Sequence, residues 1–420
     1  MSVQVKIETK NEITYKTLLK EKQYVKNLIA KLISRFGDSL DTIAYSWMVY
    51  ELTGSKTMMA TLFAVNGIPN LLFGMFAGVF AGYHSKKKII FTCDMARGLT
   101  VLLTAILLLT NTIKPWYLYV LTFFNSIFET FRAPSASSMY SMGLDKEKLD
   151  YGMSLDSTLV RIAELSGFSL AAIFISSIGT GGTIFIDSMT FFISGFIIIT
   201  IKYQDLIKKE AMTMGSSFKD LKDGFKYLLE SKVVLNMCLI ACFINFIFVP
   251  FNSMQAPYVK EILNRGVEAL SFISVPLLFG MIIMGVLYPK LKKVISGFYT
   301  ITLGGGFLGV SYLLLSQLGR LTDSIYLLPL LASCSFLMGV GIVFMSTTIQ
   351  IGLMTLIDKE FFPRVVSIFN VIGLCATPLG GFLVGVLCKI YNLSQLFLGI
   401  SIIISTLTLL QLFNKELKKL

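Results

Sequence analysis

Arg35, Asp38 and Asp41 recur every third residue inside the apolar run "SRFGDSLDTIAYSWMVY". At helical spacing they wind down one face. Glu129 with Arg132, and Arg161 with Glu164, repeat the i,i+3 theme in two later apolar runs. An ionisable group at the centre of a lipid-embedded helix costs about 2.5–3.5 kcal/mol on insertion scales, so it is a functional candidate by default. A carboxylate there has two stable conditions, paired with a cation or neutral with a proton attached. An acid that alternates between them couples proton movement to a change in its surroundings. Asp38, Asp41, Glu129 and Glu164 are therefore the expected proton-coupling acids. Arg35, Arg132 and Arg161 are the expected charge partners that compete with the proton. Static ion pairs that hold helices together fit the same spacing. Asp156 and Asp187 are expected near span ends, in structural roles.

These residues need a scaffold that buries them in lipid, and the composition supplies one. Of 420 residues, 54% are apolar and 15% charged, and mean hydropathy is +0.72. Soluble domains carry roughly 25% charged residues, so a soluble globule is excluded. A hydrocarbon core of about 30 Å needs about 20 helical residues per crossing. Twelve runs of that order are present, at 25–50, 57–82, 89–110, 116–140, 153–177, 182–202, 233–257, 268–290, 297–317, 326–352, 364–389 and 395–413. They are continuous rather than alternating, which argues for helices over a strand barrel. The spacing predicts a cytoplasmic segment at 1–24, a six-helix bundle at 25–202 and a linker at 203–232 with a surface helix near 217–230. A second six-helix bundle at 233–413 and a cytoplasmic tail at 414–420 follow. The fold class is an all-α membrane protein of twelve transmembrane helices in two pseudo-symmetric bundles.

Lysine and arginine set the orientation. With the N-terminus in the cytoplasm, the outer loops hold only Lys56, Lys114, Lys260, Arg265, Arg320 and Lys389, and most other basic residues fall on the cytoplasmic side. The net charge of +12 is thus a topology signal, and nucleic acid is not an expected partner. The opening residues lack the apolar core and cleavage site of a signal peptide, so a retained cytoplasmic segment is expected in the cell membrane. The six cysteines lie in apolar runs without disulfide or zinc spacing and read as small fillers. His84 is the one histidine, so no histidine-rich metal site and no cofactor is expected. "TGSKT" at 53–57 lacks the glycine spacing of a phosphate loop, and no catalytic motif appears. The chain is not expected to be an enzyme.

The second bundle offers neutral polarity instead of charge. Asn245, Asn252 and Gln255 share a helical face with Phe248, Phe251 and Met254 nearby, and Thr347, Gln350 and Asn370 add hydrogen-bonding groups. The expected substrate cavity uses Asn245, Phe248, Asn252, Gln255, Gln350 and Asn370, with charge supplied by the first bundle. "GVFAGYHSKKK" from Gly78 and "GVLYPKLKK" from Gly285 lie 207 residues apart, as do Asp38 and Asn245, which suggests an internal duplication.

Those features resemble the major facilitator superfamily. The first span, the "FRAPSASSMYSMGLDKEKL" stretch at 131–149 and "RVVSIFNVIGLCATPLGGFLVG" at 364–385 resemble its drug:proton antiporter branch, with Mef-type macrolide exporters and enterobactin-type siderophore exporters. The resemblance implies proton-coupled efflux of amphipathic small molecules by a monomer, through alternating access. In the family's inner-gate motif, Gly78, Lys86 and Lys87 match, but Gly82 replaces the aspartate and Tyr83 the first basic residue. Asp94 and Arg97 are the expected substitute gate pair. The fifth-span antiporter motif is degraded to Gly167, Phe168, Ser169, Leu170, Ala171, Ala172. Two other readings remain open at this point: a ferroportin-like divalent metal exporter using the first-span acids, and a non-transporting receptor or assembly protein.

Overall fold

The computed structural model describes residues 18–142, 148–202, 229–357 and 362–413. The expected surface helix near 217–230 lies almost wholly outside them, as do the tail and most of the N-terminal segment. The described residues form long α-helices: α1 (Lys22–Thr53), α2 (Lys56–Tyr83), α3 (Lys86–Leu109), α4 (Pro115–Met142), α5 (Leu149–Ile199), α6 (Lys232–Ser253), α7 (Glu268–Leu291), α8 (Gly297–Gln317), α9 (Leu327–Leu356), α10 (Phe362–Leu387) and α11 (Leu393–Gln411). Their ends agree with the expected spans to within about four residues. Eight stretches among the described residues are long and apolar enough to cross a membrane by length and composition.

α5 is two helices joined at a kink. Its 51 residues would run about 76 Å as a straight helix, far beyond the roughly 30 Å of a hydrocarbon core. Gly179 breaks it with φ 75° and ψ 170°, a region essentially restricted to glycine. The expected gap between spans at 177 and 182 falls on this residue.

The helices are inside-out relative to those of a soluble protein. On α3, Asp94, Arg97, Val101 and Thr104 are buried, whereas Leu99, Leu103 and Ile106 are exposed. The i,i+3/i+4 spacing gives α3 a polar inner face and an apolar outer one, and lipid is the solvent that accepts the latter. With no hydrophobic drive between helices in lipid, close packing and interhelical polar contacts hold them together. α1 packs on α5, α3 on α4 and α5, and α2 on α4; α7 and α8 pack on α9, α8 on α11, and α6 on α10. Contacts of α2 with α10 and of α5 with α7 join these two groups.

The α1–α5 crossing depends on Gly37. A Cβ there would overlap Thr190 Oγ1 and Asp187 Oδ1, so only glycine lets α1 lie against the second half of α5. Overpacking of this kind costs about 1–3 kcal/mol. Gly37→Ala is expected to lower the thermal midpoint of the purified protein. Gly78→Ala, at a position with open space around it, is expected to leave the midpoint unchanged in the same detergent.

Candidate functional site

Arg97 of α3 is the hub of the buried polar residues. Its Nη1 donates to Glu129 Oε2 at 2.6 Å, its Nη2 to Asp38 Oδ1 at 3.0 Å and its Nε to Asn125 Oδ1 at 3.2 Å. Its guanidinium also lies 4.1 Å from the centroid of the Phe191 ring. One cation thus ties α1, α3, α4 and α5 together. Arg35 approaches the other oxygen of Asp38 at 3.7 Å from a more exposed position.

A second pair lies beside the first. Arg132 Nε donates to Asp94 Oδ1, and Ser194 Oγ donates to Asp94 Oδ2 at 3.0 Å. The sequence reading is corrected at two points. Glu129 and Arg132, three residues apart on α4, do not pair with each other; each reaches across to α3. Asp94 and Arg97 likewise pair outward rather than together. The physical reason is reach: in a packed bundle, a long guanidinium gains more hydrogen bonds from an acid on a facing helix than from one on its own turn. The Arg161–Glu164 pair does form within α5, at 2.8 Å, with Arg161 largely exposed. Asp156 forms an ion pair with Lys31 at 2.5 Å.

Two carboxylates are left over. Asp41 Oδ1 is buried and has no hydrogen-bond partner. Asp187 accepts a hydrogen bond from Thr190 Oγ1 at 3.2 Å and lies within electrostatic reach of Asp41 and Asp38. It sits in the middle of the second half of α5, not near a span end as expected, because Gly37 admits it against α1. The cluster around Arg97 therefore holds five carboxylates, buried Asp94 and Asp187 with half-buried Asp38, Asp41 and Glu129, against three arginines, buried Arg97 and Arg132 with Arg35 at the edge. Every buried charged side chain among the described residues precedes residue 200.

Asp41 faces a small cavity of about 80 Å³, lined also by Tyr45, Asn66, Thr100, Thr104, Thr122 and Asn125. Sequence reading missed this cavity, because threonines in an apolar run read as packing. A usable signal was present: Arg97, Thr100 and Thr104 fall on one face of the same helix.

The other expected site residues are more dispersed. Asn245 turns its amide back to donate to Ala241 O at 3.0 Å. Phe248 stacks edge-on against Phe251 at 6.1 Å. Asn252 and Gln350 are exposed, and Gln255 lies beyond the end of α6, in the short turn Gln255–Pro257. Asn370 falls on α10, but its side chain is outside the described residues. Lys87 Nζ donates to Ile201 O at 2.9 Å, joining the start of α3 to the end of α5. Lys86 is buried, and Gly78 has open space around it. All six cysteines are free thiols. Among the described residues, no group of three His, Cys, Asp or Glu side chains is placed to hold a metal ion.

Ties between the two groups of helices gather at one end. Tyr50 Oη donates to Glu261 Oε1, Lys56 Nζ lies 2.8 Å from Glu261 Oε2, and Thr57 Oγ1 donates to Gly385 O at 3.3 Å. Lys260 lies 4.0 Å from Glu51 and 5.5 Å from the centroid of the Trp47 ring. Glu261 and Lys260 come from a π-helical turn at Tyr258–Ile262, an irregularity common at functional sites.

Comparison with known proteins places this geometry in a family. The family model for the Major Facilitator Superfamily matches residues 28–380. The chain belongs to the Major Facilitator Superfamily. Macrolide efflux protein A of Streptococcus pyogenes is 20% identical over 92% of this chain and 95% of that protein. Multidrug efflux pump Tap of Mycolicibacterium fortuitum is 21% identical over 94% of this chain and 96% of that protein. Among solved structures, the nucleoside transporter NupG superimposes with a TM-score of 0.78 at 12% identity, covering 94% of this chain and all of that one. The likeness to NupG is one of fold. The chain is a multi-pass membrane transporter of all-α architecture.

The Asp94–Arg132 pair is buried on both sides, and removing one partner of such a pair costs about 3–5 kcal/mol. Asp94→Asn is expected to lower the thermal midpoint strongly. Neutralising the half-exposed Arg161–Glu164 pair is expected to cost less than about 1 kcal/mol. Unfolding of the purified variants in one detergent measures both.

Proposed function

We propose that this transporter is a proton-coupled exporter of amphipathic small molecules, of the chemical kind that macrolides and siderophores represent. It exchanges substrate for protons by alternating access between the α1–α5 and α6–α11 groups, acting as two pseudo-symmetric six-helix domains of a monomer. Both termini lie in the cytoplasm of a cell whose plasma membrane holds the protein. In that orientation, the ties among Tyr50, Lys56 and Glu261 close the outer face. The efflux relatives support the direction of transport.

The observation that carries the coupling is Asp41. Arg97 and Arg35 neutralise Asp38, and Arg97 serves Glu129, whereas Asp41 Oδ1 has no partner in a buried position. Of the four acids expected to couple protons, Asp41 is the one whose counter-charge must come from outside the protein, and a proton is the smallest that can. Asp187, set beside it, is the second acid in the scheme. Asp38 and Glu129 hold Arg97 in place; Glu164 stays with Arg161. Substrate is recognised through the neutral amides and aromatic rings of the α6–α11 side, where Asn252 and Gln350 remain exposed.

In a susceptible host, wild-type protein is expected to lower accumulation of a macrolide or lipophilic dye, and a proton uncoupler to abolish the effect. Asp41→Asn is expected to reach the membrane at normal abundance and to return accumulation to the level of cells lacking the transporter. Full uphill efflux by Asp41→Asn, or efflux indifferent to the uncoupler, contradicts the reading.

A further inference from the structure

We propose that the cavity beside Asp41 is a binding site for a hard monovalent cation, Na+, which takes the place of the proton as counter-charge to the carboxylate. The inference rests on the reading of Asp41 as the acid that exchanges its proton.

The first argument is charge. Asp41 Oδ1 is buried without a partner, and the arginines near it are engaged, Arg97 with Asp38 and Glu129, Arg132 with Asp94. A bare carboxylate in such a place is unstable. The second argument concerns the hydrogens of the cavity wall. Thr100 Oγ1 donates its hydrogen to Ala96 O at 2.6 Å, and Thr104 Oγ1 donates to Thr100 O at 3.1 Å. Tyr45 and Thr122 share one hydrogen bond at 2.6 Å. A hydroxyl whose single hydrogen is spent still has lone pairs to offer. The wall therefore offers oxygen lone pairs from Thr100, Thr104 and the Tyr45–Thr122 pair; the amide hydrogens of Asn66 and Asn125 are its donors, and none of them bonds Asp41 Oδ1. A hard cation can be coordinated by those oxygens and by the carboxylate together.

Size and charge count select the ion. About 80 Å³ accommodates a small ion with one or two waters, each water occupying about 30 Å³. It is too small for a drug-sized molecule, which needs about 300 Å³ or more. One carboxylate lines the cavity, and no three acidic, histidine or cysteine side chains among the described residues converge on a metal position. That balance suits a single positive charge better than a divalent ion, which gathers more carboxylates around itself.

The proton and the cation compete for the same oxygen. The charged and titratable groups that bear on Asp41 are Asp38 and Tyr45 of α1, Arg97 of α3 with Glu129 of α4 bound to it, and Asp187 of α5. Arg97 opposes cation entry; Asp38 favours it. Na+ therefore binds more weakly as the medium is acidified.

The test follows the thermal midpoint of the purified full-length protein as NaCl replaces choline chloride at constant ionic strength, with KCl, LiCl and CaCl2 as parallel arms. A saturable rise with Na+, diminished at lower pH and absent in Asp41→Asn, is expected. Thr100→Val with Thr104→Val keeps the carboxylate and removes two oxygens, and is expected to weaken the apparent Na+ affinity by about tenfold or more. Equal midpoints of the wild type in Na+ and choline overturn the proposal. So does a Na+ response that persists in Asp41→Asn, or a response to Ca2+ alone. No transport substrate and no gradient are present, so this result stands or falls separately from uncoupler-sensitive efflux.

Discussion

A carboxylate removed from water needs a compensating positive charge, and the cluster around Arg97 holds more carboxylates than arginines. That imbalance organises the α1–α5 side of the molecule. Arg97 spans two acids and an amide at once, Arg132 holds a third acid with help from Ser194, and Asp41 and Asp187 remain. The planar, five-donor guanidinium is suited to such bridging, because it serves several acceptors at fixed angles without losing its charge. A lysine at either position would satisfy fewer oxygens and leave the bundle with a larger deficit.

The scaffold is arranged to make that deficit tolerable. α3 presents its polar face inward and its leucines outward. α5 turns back on itself at Gly179, so that both of its halves pack near α1. Gly37 lets Asp187 and Thr190 press against α1 beside the acids at 38 and 41. The α6–α11 side has no buried charge among the described residues and meets its polar needs with hydroxyls. Tyr288 and Thr300 both bond Thr348, at 2.7 and 2.8 Å, and Tyr312 donates to Ile247 O at 2.6 Å. This asymmetry divides the work proposed for the protein: charge exchange on one side, neutral recognition on the other, and between them the Tyr50–Lys56–Glu261 ties that must break for the outer face to open.

The architecture was legible in the sequence because lipid imposes one strong rule: about twenty apolar residues for each crossing. Span ends came within about four residues for the same reason. The acids of α1 were legible because charge in an apolar run is rare. The partners were not. Spacing along one helix suggested Glu129 with Arg132, but pairing in a bundle is decided by which helix faces which, and no periodicity encodes that. Asp94 and Arg97 were the expected substitute gate pair, and the packing of α4 and α5 gives each of them a partner on another helix. Glu261, between two apolar runs, carried no signal in the sequence, and the π-helical turn after α6 brings it to Tyr50 and Lys56. The threonines of the Asp41 cavity were legible only through their helical spacing from Arg97, which places Thr100 and Thr104 on the same face of α3.

The central claim is that Asp41 draws its counter-charge from solution. Infrared difference spectroscopy of the membrane-embedded protein, titrated with acid, reads the carbonyl stretch of protonated carboxylic acids directly and needs no transport substrate. The account predicts that one component of the band that grows on acidification in the wild type is missing from Asp41→Asn. Identical spectra for the two proteins across the titration would contradict it.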